Sequence, residues 1–134
     1  MALNALDGMI ANKSNNKSAM GSVLNELCDV VSDLALFSAF ALVLPISLWS
    51  WWLLIILCLM SEFIALAVFQ ASGVRPFSGP LGKSDRALFL SVLAILLLLF
   101  PDAVNLFYAY LATGIVLAVI TIWNRLKIVT LHQI

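Results

Sequence analysis

The sequence predicts an all-α fold: a polytopic integral membrane helical bundle with about four full transmembrane helices plus an N-terminal helix stub. Three observations carry that expectation. Of 134 residues, 63% are hydrophobic and only 10% charged, with mean hydropathy +1.10, far outside the range of a soluble globular domain. The apolar residues collect in long runs separated by short segments rich in Pro, Gly and Asn. All seven lysines and arginines fall in segments that successive crossings would bring to one side of a membrane.

The chain reads as a single membrane domain, 1–134. Residues 1–11, MALNALDGMIA, are apolar but too short to span and lack the basic start and long apolar core of a secretory signal, so they read as a helix stub. The polar stretch 12–18, NKSNNKS, reads as an aqueous loop. A first span is expected over 19–44, closed by Pro45, and a second over 48–70, opening on Trp49, Trp51 and Trp52, whose amphipathic rings suit the membrane interface. The Gly- and Pro-dense segment 71–86 reads as a loop. A short third span, 87–100, exits at Pro101 and Asp102, and a fourth, 103–124, ends at Asn124, Arg125 and Lys127. Lys13, Lys17, Arg75, Lys83, Arg86, Arg125 and Lys127 then share one face, which the positive-inside rule makes cytoplasmic. Net charge is zero, so no basic field points to nucleic acid. Cys28 and Cys58 lie in apolar stretches and read as small packing residues, and His132 as a solvated tail residue.

The acids carry the chemistry. Glu26, Asp29 and Asp33 interrupt the first span, and helical geometry places them within roughly 60° of one another on one face. Three like charges there need a counter-charge, and a divalent cation held by oxygen ligands supplies it; Mg²⁺, which binds a few carboxylates together with substrate phosphates, fits best. Acids inside a span are costly unless they face a polar cavity or an ion, and are functional by default. Glu62 in the second span is a candidate for the same cavity or for a plain helix pairing. Lys83 and Arg86 above it suit either phosphate binding or a topology signal. Together these residues describe a hydrophilic pocket open to the cytoplasm, with carboxylates at its floor and basic side chains at its rim, suited to a phosphorylated substrate.

Read from position 4, the chain gives Asn4, Asp7, Gly8, Ala11, Asn12, Gly21, Asn25 and Asp29. This series resembles the CDP-alcohol phosphatidyltransferase motif, in which Asp, Asp-Gly, Ala-Arg, Gly, Asp and Asp recur at the same spacings. Asp7, Gly8, Ala11, Gly21 and Asp29 match, whereas Asn4, Asn12 and Asn25 depart. The segment GPLGKSDR, residues 79–86, also resembles the family's Gly-Lys segment between two later helices; a phosphate-loop reading of it fails because Phe77 stands where a glycine is needed. The family has six transmembrane helices, and against it the chain looks shortened at its N-terminal end.

The resemblance implies a transferase of phospholipid biosynthesis. A hydroxyl attacks the phosphorus next to the lipid alcohol of a CDP-alcohol such as CDP-diacylglycerol, and CMP leaves, with Mg²⁺ or Mn²⁺ as cofactor. It further implies an acceptor alcohol of the polyol phosphate class, a product similar to phosphatidylglycerophosphate, membrane lipids as surroundings, a homodimer and a bacterial inner membrane location. Carried over by residue, Asp29 is the catalytic base and a metal ligand and Asp7 a second ligand. Asn4 and Asn25 offer a carbonyl oxygen without charge, and Glu26 and Asp33 make up the deficit. Gly8, Ala11, Gly21, Lys83 and Arg86 contact substrate, while Asn12 lacks the arginine that would touch phosphate. Two rivals from other classes are a catalytically inactive remnant acting as a membrane interaction protein and a small ion-coupled transporter using Glu26, Asp29 and Asp33. Metal-dependent CMP release separates the first reading from both.

Overall fold

Proline and glycine set the helix ends. The computed structural model describes residues 19–131, with side chains from Met20 to Ile128. Over these residues the chain forms α1 (Ala19–Val43), α2 (Leu48–Ser72), α3 (Lys83–Leu99) and α4 (Val104–Leu131). Helix α1 stops just before Pro45, whose ring disfavours helical backbone at the preceding residue. Helix α2 closes on Gly73, which takes the left-handed conformation at φ 71° and donates its N–H to the Phe69 carbonyl at 2.8 Å. The helix carrying the expected 87–100 span opens at Lys83: the Asp85 carboxylate accepts the Gly82 N–H at 3.0 Å, occupying a donor at the helix entry. Phe100, followed by Pro101, ends it. The stub at 1–11 and the loop at 12–18 lie outside the described residues.

The described residues form an all-helical membrane bundle with fewer full spans than the four expected. Two helices are long and apolar enough to cross a membrane, Leu48–Ser72 and Val104–Ile128. In α1 every 18-residue window contains Glu26, Asp29 and Asp33, so charge and not length sets it apart. Helix α3 has 17 residues, about 25 Å at 1.5 Å per residue, short of an apolar core of about 30 Å.

A largely apolar core also encloses polar and charged groups, while many large apolar side chains face outward. Ser61, Glu62, Arg86, Thr121 and Arg125 are buried, while Leu42, Phe63, Leu98 and Trp123 lie largely exposed. An exterior of this kind is stable only against hydrocarbon, so the exposed leucines mark lipid-facing surface and the buried charges the protein interior.

The chain divides within α1 into two compact units, Met1–Leu36 and Phe37–Ile134. In the second, α2 packs extensively along α4, and α3 meets α4 more sparingly. The buried face of α4 is Phe107, Leu111, Gly114, Ala118, Thr121 and Arg125, a spacing alternating between four and three residues that forms one helical stripe. Its small members let a neighbouring helix come close. The matching stripe on α2 is Trp51, Leu54, Ile55, Cys58, Ser61, Glu62, Ala65 and Val68. At one end of the unit, Trp51 Nε1 donates to the Phe37 carbonyl at 2.7 Å and the Ser47 N–H to the Tyr108 hydroxyl at 2.9 Å. Buried Trp51 thereby keeps its one polar group satisfied.

Gly114 lies where α3 and α4 approach closely. A Cβ there would lie 2.6 Å from Phe89 Cζ. That ring cannot easily yield, because it stacks on Tyr110 at 4.4 Å and the Tyr110 hydroxyl donates to the Phe89 carbonyl at 2.9 Å. Gly114→Ala is therefore expected to destabilise the bundle by about 1–3 kcal/mol through overpacking. Thermal unfolding in detergent micelles checks this, and an unchanged midpoint would show that the helices separate freely.

Candidate functional site

Between Met20 and Leu36 the half-buried residues are Glu26, Asp29, Val30 and Asp33; the rest are exposed, including Met20, Val23, Leu24, Leu27 and Val31. The shielded arc of this part of α1 is thus its acidic arc, and the apolar residues face outward. A water-facing helix would do the opposite. Three carboxylates gathered on the more shielded face of a helix whose other face is apolar and exposed make this arc the leading site candidate.

Within the arc the side chains are ordered along the helix. Asn25 Nδ2 donates to Asp29 Oδ2 at 3.4 Å, one turn apart. Glu26, Asp29, Asp33 and Gly21 each engage in further contacts. All candidate ligands here are carboxylate or carboxamide groups, an oxygen donor set that suits a hard divalent cation. Among the described residues no three carboxylate, imidazole or thiolate groups converge on one point. Asn4, Asp7, Gly8 and Ala11, the other residues singled out in the sequence, lie outside the described residues; the oxygen donors on α1 are of a kind that fits a divalent cation.

The second unit holds a buried ionic cluster. Glu62 Oε1 on α2 lies 3.0 Å from an Arg86 terminal nitrogen on α3 and 3.3 Å from Arg125 Nη1 on α4. Arg86 Nη1 also donates to the Cys58 carbonyl at 3.3 Å, and Arg125 Nη1 to the Ser61 carbonyl. The three residues are 8%, 1% and 4% exposed, so all three charges are withdrawn from solvent and lipid together. The Ser61 hydroxyl turns back to the Cys58 carbonyl at 2.9 Å, the same carbonyl that Arg86 Nη1 reaches. Arg125 Nε is buried with no hydrogen-bond acceptor among the described residues.

A polar latch fixes the segment leading into α3. The Leu81 N–H donates to Thr121 Oγ1 at 2.9 Å, and that hydroxyl donates to the Leu117 carbonyl at 2.8 Å. Gly79 sits at φ 143° with no room beyond its hydrogen: a Cβ would come within 2.4 Å of Thr121 Cγ2. Only glycine suits both the backbone and the space. The latch holds the start of α3, and with it half-buried Lys83 and buried Arg86.

Of the site residues expected from sequence, the structure places Asn25, Glu26, Asp29, Asp33 and Gly21 on α1 and Lys83 and Arg86 on the first turn of α3. Arg86 is buried and engaged by Glu62. Arg125 and Thr121 were not singled out as site residues. Arg125 reads in sequence as a charge flanking the last span, and Thr121 as one polar residue in an apolar run. The signal that connects them is the seven-residue recurrence Gly114, Thr121 and, one half-step on, Arg125, which puts both on the inward stripe.

Comparisons with known proteins agree with this architecture. The sequence pattern of the CDP-alcohol phosphatidyltransferase family matches residues 1–124. The chain is 44% identical over 103 residues to the inner membrane protein YnbA of Escherichia coli strain K12, an alignment covering 76% of this chain and 51% of that protein. It thus spans about half the length of this curated relative. No solved structure matches the chain. A family match that takes in the acidic helix together with Glu62 and Arg86 leads to one conclusion: the chain belongs to the CDP-alcohol phosphatidyltransferase family.

Proposed function

We propose that this chain transfers a phosphatidyl group from CDP-diacylglycerol, or a related CDP-alcohol, to an acceptor alcohol of the polyol phosphate class, releasing CMP at the cytoplasmic face of a bacterial inner membrane. The observation that carries the reading is Asp29, at the last position of the family's motif, on a helical arc where acids are shielded and apolar residues face outward. The E. coli relative, named as an inner membrane protein, supports the location.

In this reading Mg²⁺ or Mn²⁺ would be held by Asp7 and Asp29, with oxygens of Asn4 and Asn25 and added charge from Glu26 and Asp33. When bound, the ion would neutralise the diphosphate and polarise its phosphorus. The chain's own groups do the rest. Asp29 accepts the proton of the acceptor hydroxyl as its oxygen attacks the phosphorus, and the bond to CMP breaks. Gly8, Ala11 and Gly21 let the nucleotide approach the backbone closely, and Lys83 and Arg86 bind phosphate oxygens. The protein works as a homodimer embedded among membrane lipids.

The decisive assay is CMP release from CDP-diacylglycerol in detergent, with Mg²⁺ or Mn²⁺ and a panel of polyol phosphates. Release that depends on both metal and acceptor is expected. A folded preparation that yields no CMP with any acceptor would overturn the enzyme reading.

A further inference from the structure

Glu62 lies against both buried guanidiniums, and one oxygen, Oε1, serves both. Its partners come from two other helices, near the start of α3 and near the end of α4. Two guanidiniums do not settle side by side unaided, since like charges repel strongly where the dielectric is low. The Cys58 and Ser61 carbonyls complete the cradle, and both belong to the turn of α2 that carries Glu62. This cradle also leaves Arg125 Nε, in a residue 4% exposed, as a buried donor without an acceptor among the described residues. A native donor in that state calls for an acceptor supplied from elsewhere.

We propose that Glu62 is a positioning residue: it holds Arg86 and Arg125 together so that the paired guanidiniums engage the phosphate oxygens of the substrate. The inference rests on the transferase reading for the identity of that substrate, but the cluster's geometry is independent of it. A planar guanidinium engages phosphate with paired N–H groups, so its orientation matters as much as its charge. Glu62 sets that orientation from the far side, touching neither the reacting phosphorus nor the hydroxyl. The phosphate could be the acceptor's own or the diphosphate of the CDP-alcohol, and kinetics separate the two.

The test compares wild type with Glu62→Gln, which keeps the shape and loses the charge, and Glu62→Asp, which keeps the charge and withdraws the oxygen. Steady-state CMP release is measured while acceptor and CDP-diacylglycerol are varied in turn. Positioning predicts a rise of about tenfold in one KM for Glu62→Gln, equivalent to about 1.4 kcal/mol. A smaller rise is expected for Glu62→Asp, with kcat changed much less in both. A rise in the acceptor KM assigns the acceptor phosphate, and a rise in the CDP-diacylglycerol KM assigns the diphosphate. Unchanged KM values, or a loss confined to kcat, would overturn the proposal.

A second readout needs no turnover. Inorganic phosphate should raise the thermal midpoint of wild type, and that rise should shrink in Glu62→Gln and Glu62→Asp; equal rises in all three would also overturn it. If wild type releases no CMP yet shows the phosphate-dependent rise and the variants lose it, the transferase reading fails while the positioning role stands. Should Glu62→Gln not fold, Glu62→Asp carries both measurements.

Discussion

Asp29→Asn is expected to lower metal-dependent CMP release by at least about 100-fold, the lower end of what a positioned general base contributes. The substitution keeps size and one carbonyl oxygen but removes both the proton acceptor and a unit of charge from the ligand set. Stability should move the other way or stay level. Asp29 is half-buried on a helix whose neighbouring apolar residues face outward, and neutralising an acid in that setting relieves a cost. Thermal unfolding measured beside activity therefore separates two roles. A base and ligand gives a folded, inactive protein, whereas an acid kept for structure gives a protein that loses stability and activity together. Full activity in a folded Asp29→Asn protein would remove Asp29 from the chemistry.

How much of this was legible in the sequence depends on the range of the interaction. The acidic arc of α1 was legible because helical periodicity alone puts positions 26, 29 and 33 together, and the structure finds those residues half-buried among exposed neighbours. The helix ends beside Pro45 and Pro101 were legible because each is decided by the backbone of one residue, whereas the helix closed by Gly73 runs to Ser72, past the expected end at 70. The number of full spans was overcounted. Hydropathy runs do not register that three acids occupy every long window of α1 or that α3 stops at 17 residues.

The ionic cluster was not legible. Glu62 and Arg125 are 63 positions apart, and nothing local distinguishes Arg125 from a positive charge placed at a span's end to set topology. Only the packing of α2 on α4 turns it inward. The same holds for the bond from the Leu81 N–H to Thr121, 40 positions away, which depends on Gly79 having no side chain. Short-range physics placed the acids, and long-range packing chose the partners of the bases.

That packing makes Glu62 the most vulnerable point of the second unit. Glu62→Leu fills similar volume but removes the carboxylate shared by two arginines that are 1% and 4% exposed. Breaking a buried ionic group by removing one partner typically costs about 3–5 kcal/mol, because the remaining charge stays desolvated. Arg125 lies near the end of α4 and gains some relief by extending its stem toward the membrane surface. Arg86 has less freedom, with the start of α3 latched through Leu81 to Thr121. A loss of at least about 3 kcal/mol is therefore expected in unfolding from detergent micelles. Replacing all three residues by apolar ones, as Glu62→Leu with Arg86→Met and Arg125→Met, should recover most of it, since desolvation and attraction nearly cancel for an intact buried ionic group. The recovered protein is expected to be stable and inactive. If Glu62→Leu alone costs under about 1 kcal/mol, the guanidiniums have other counter-charges, because exposed pairs alone are worth that little. The cluster would then hold its arginines without Glu62, and the positioning role would fall with it.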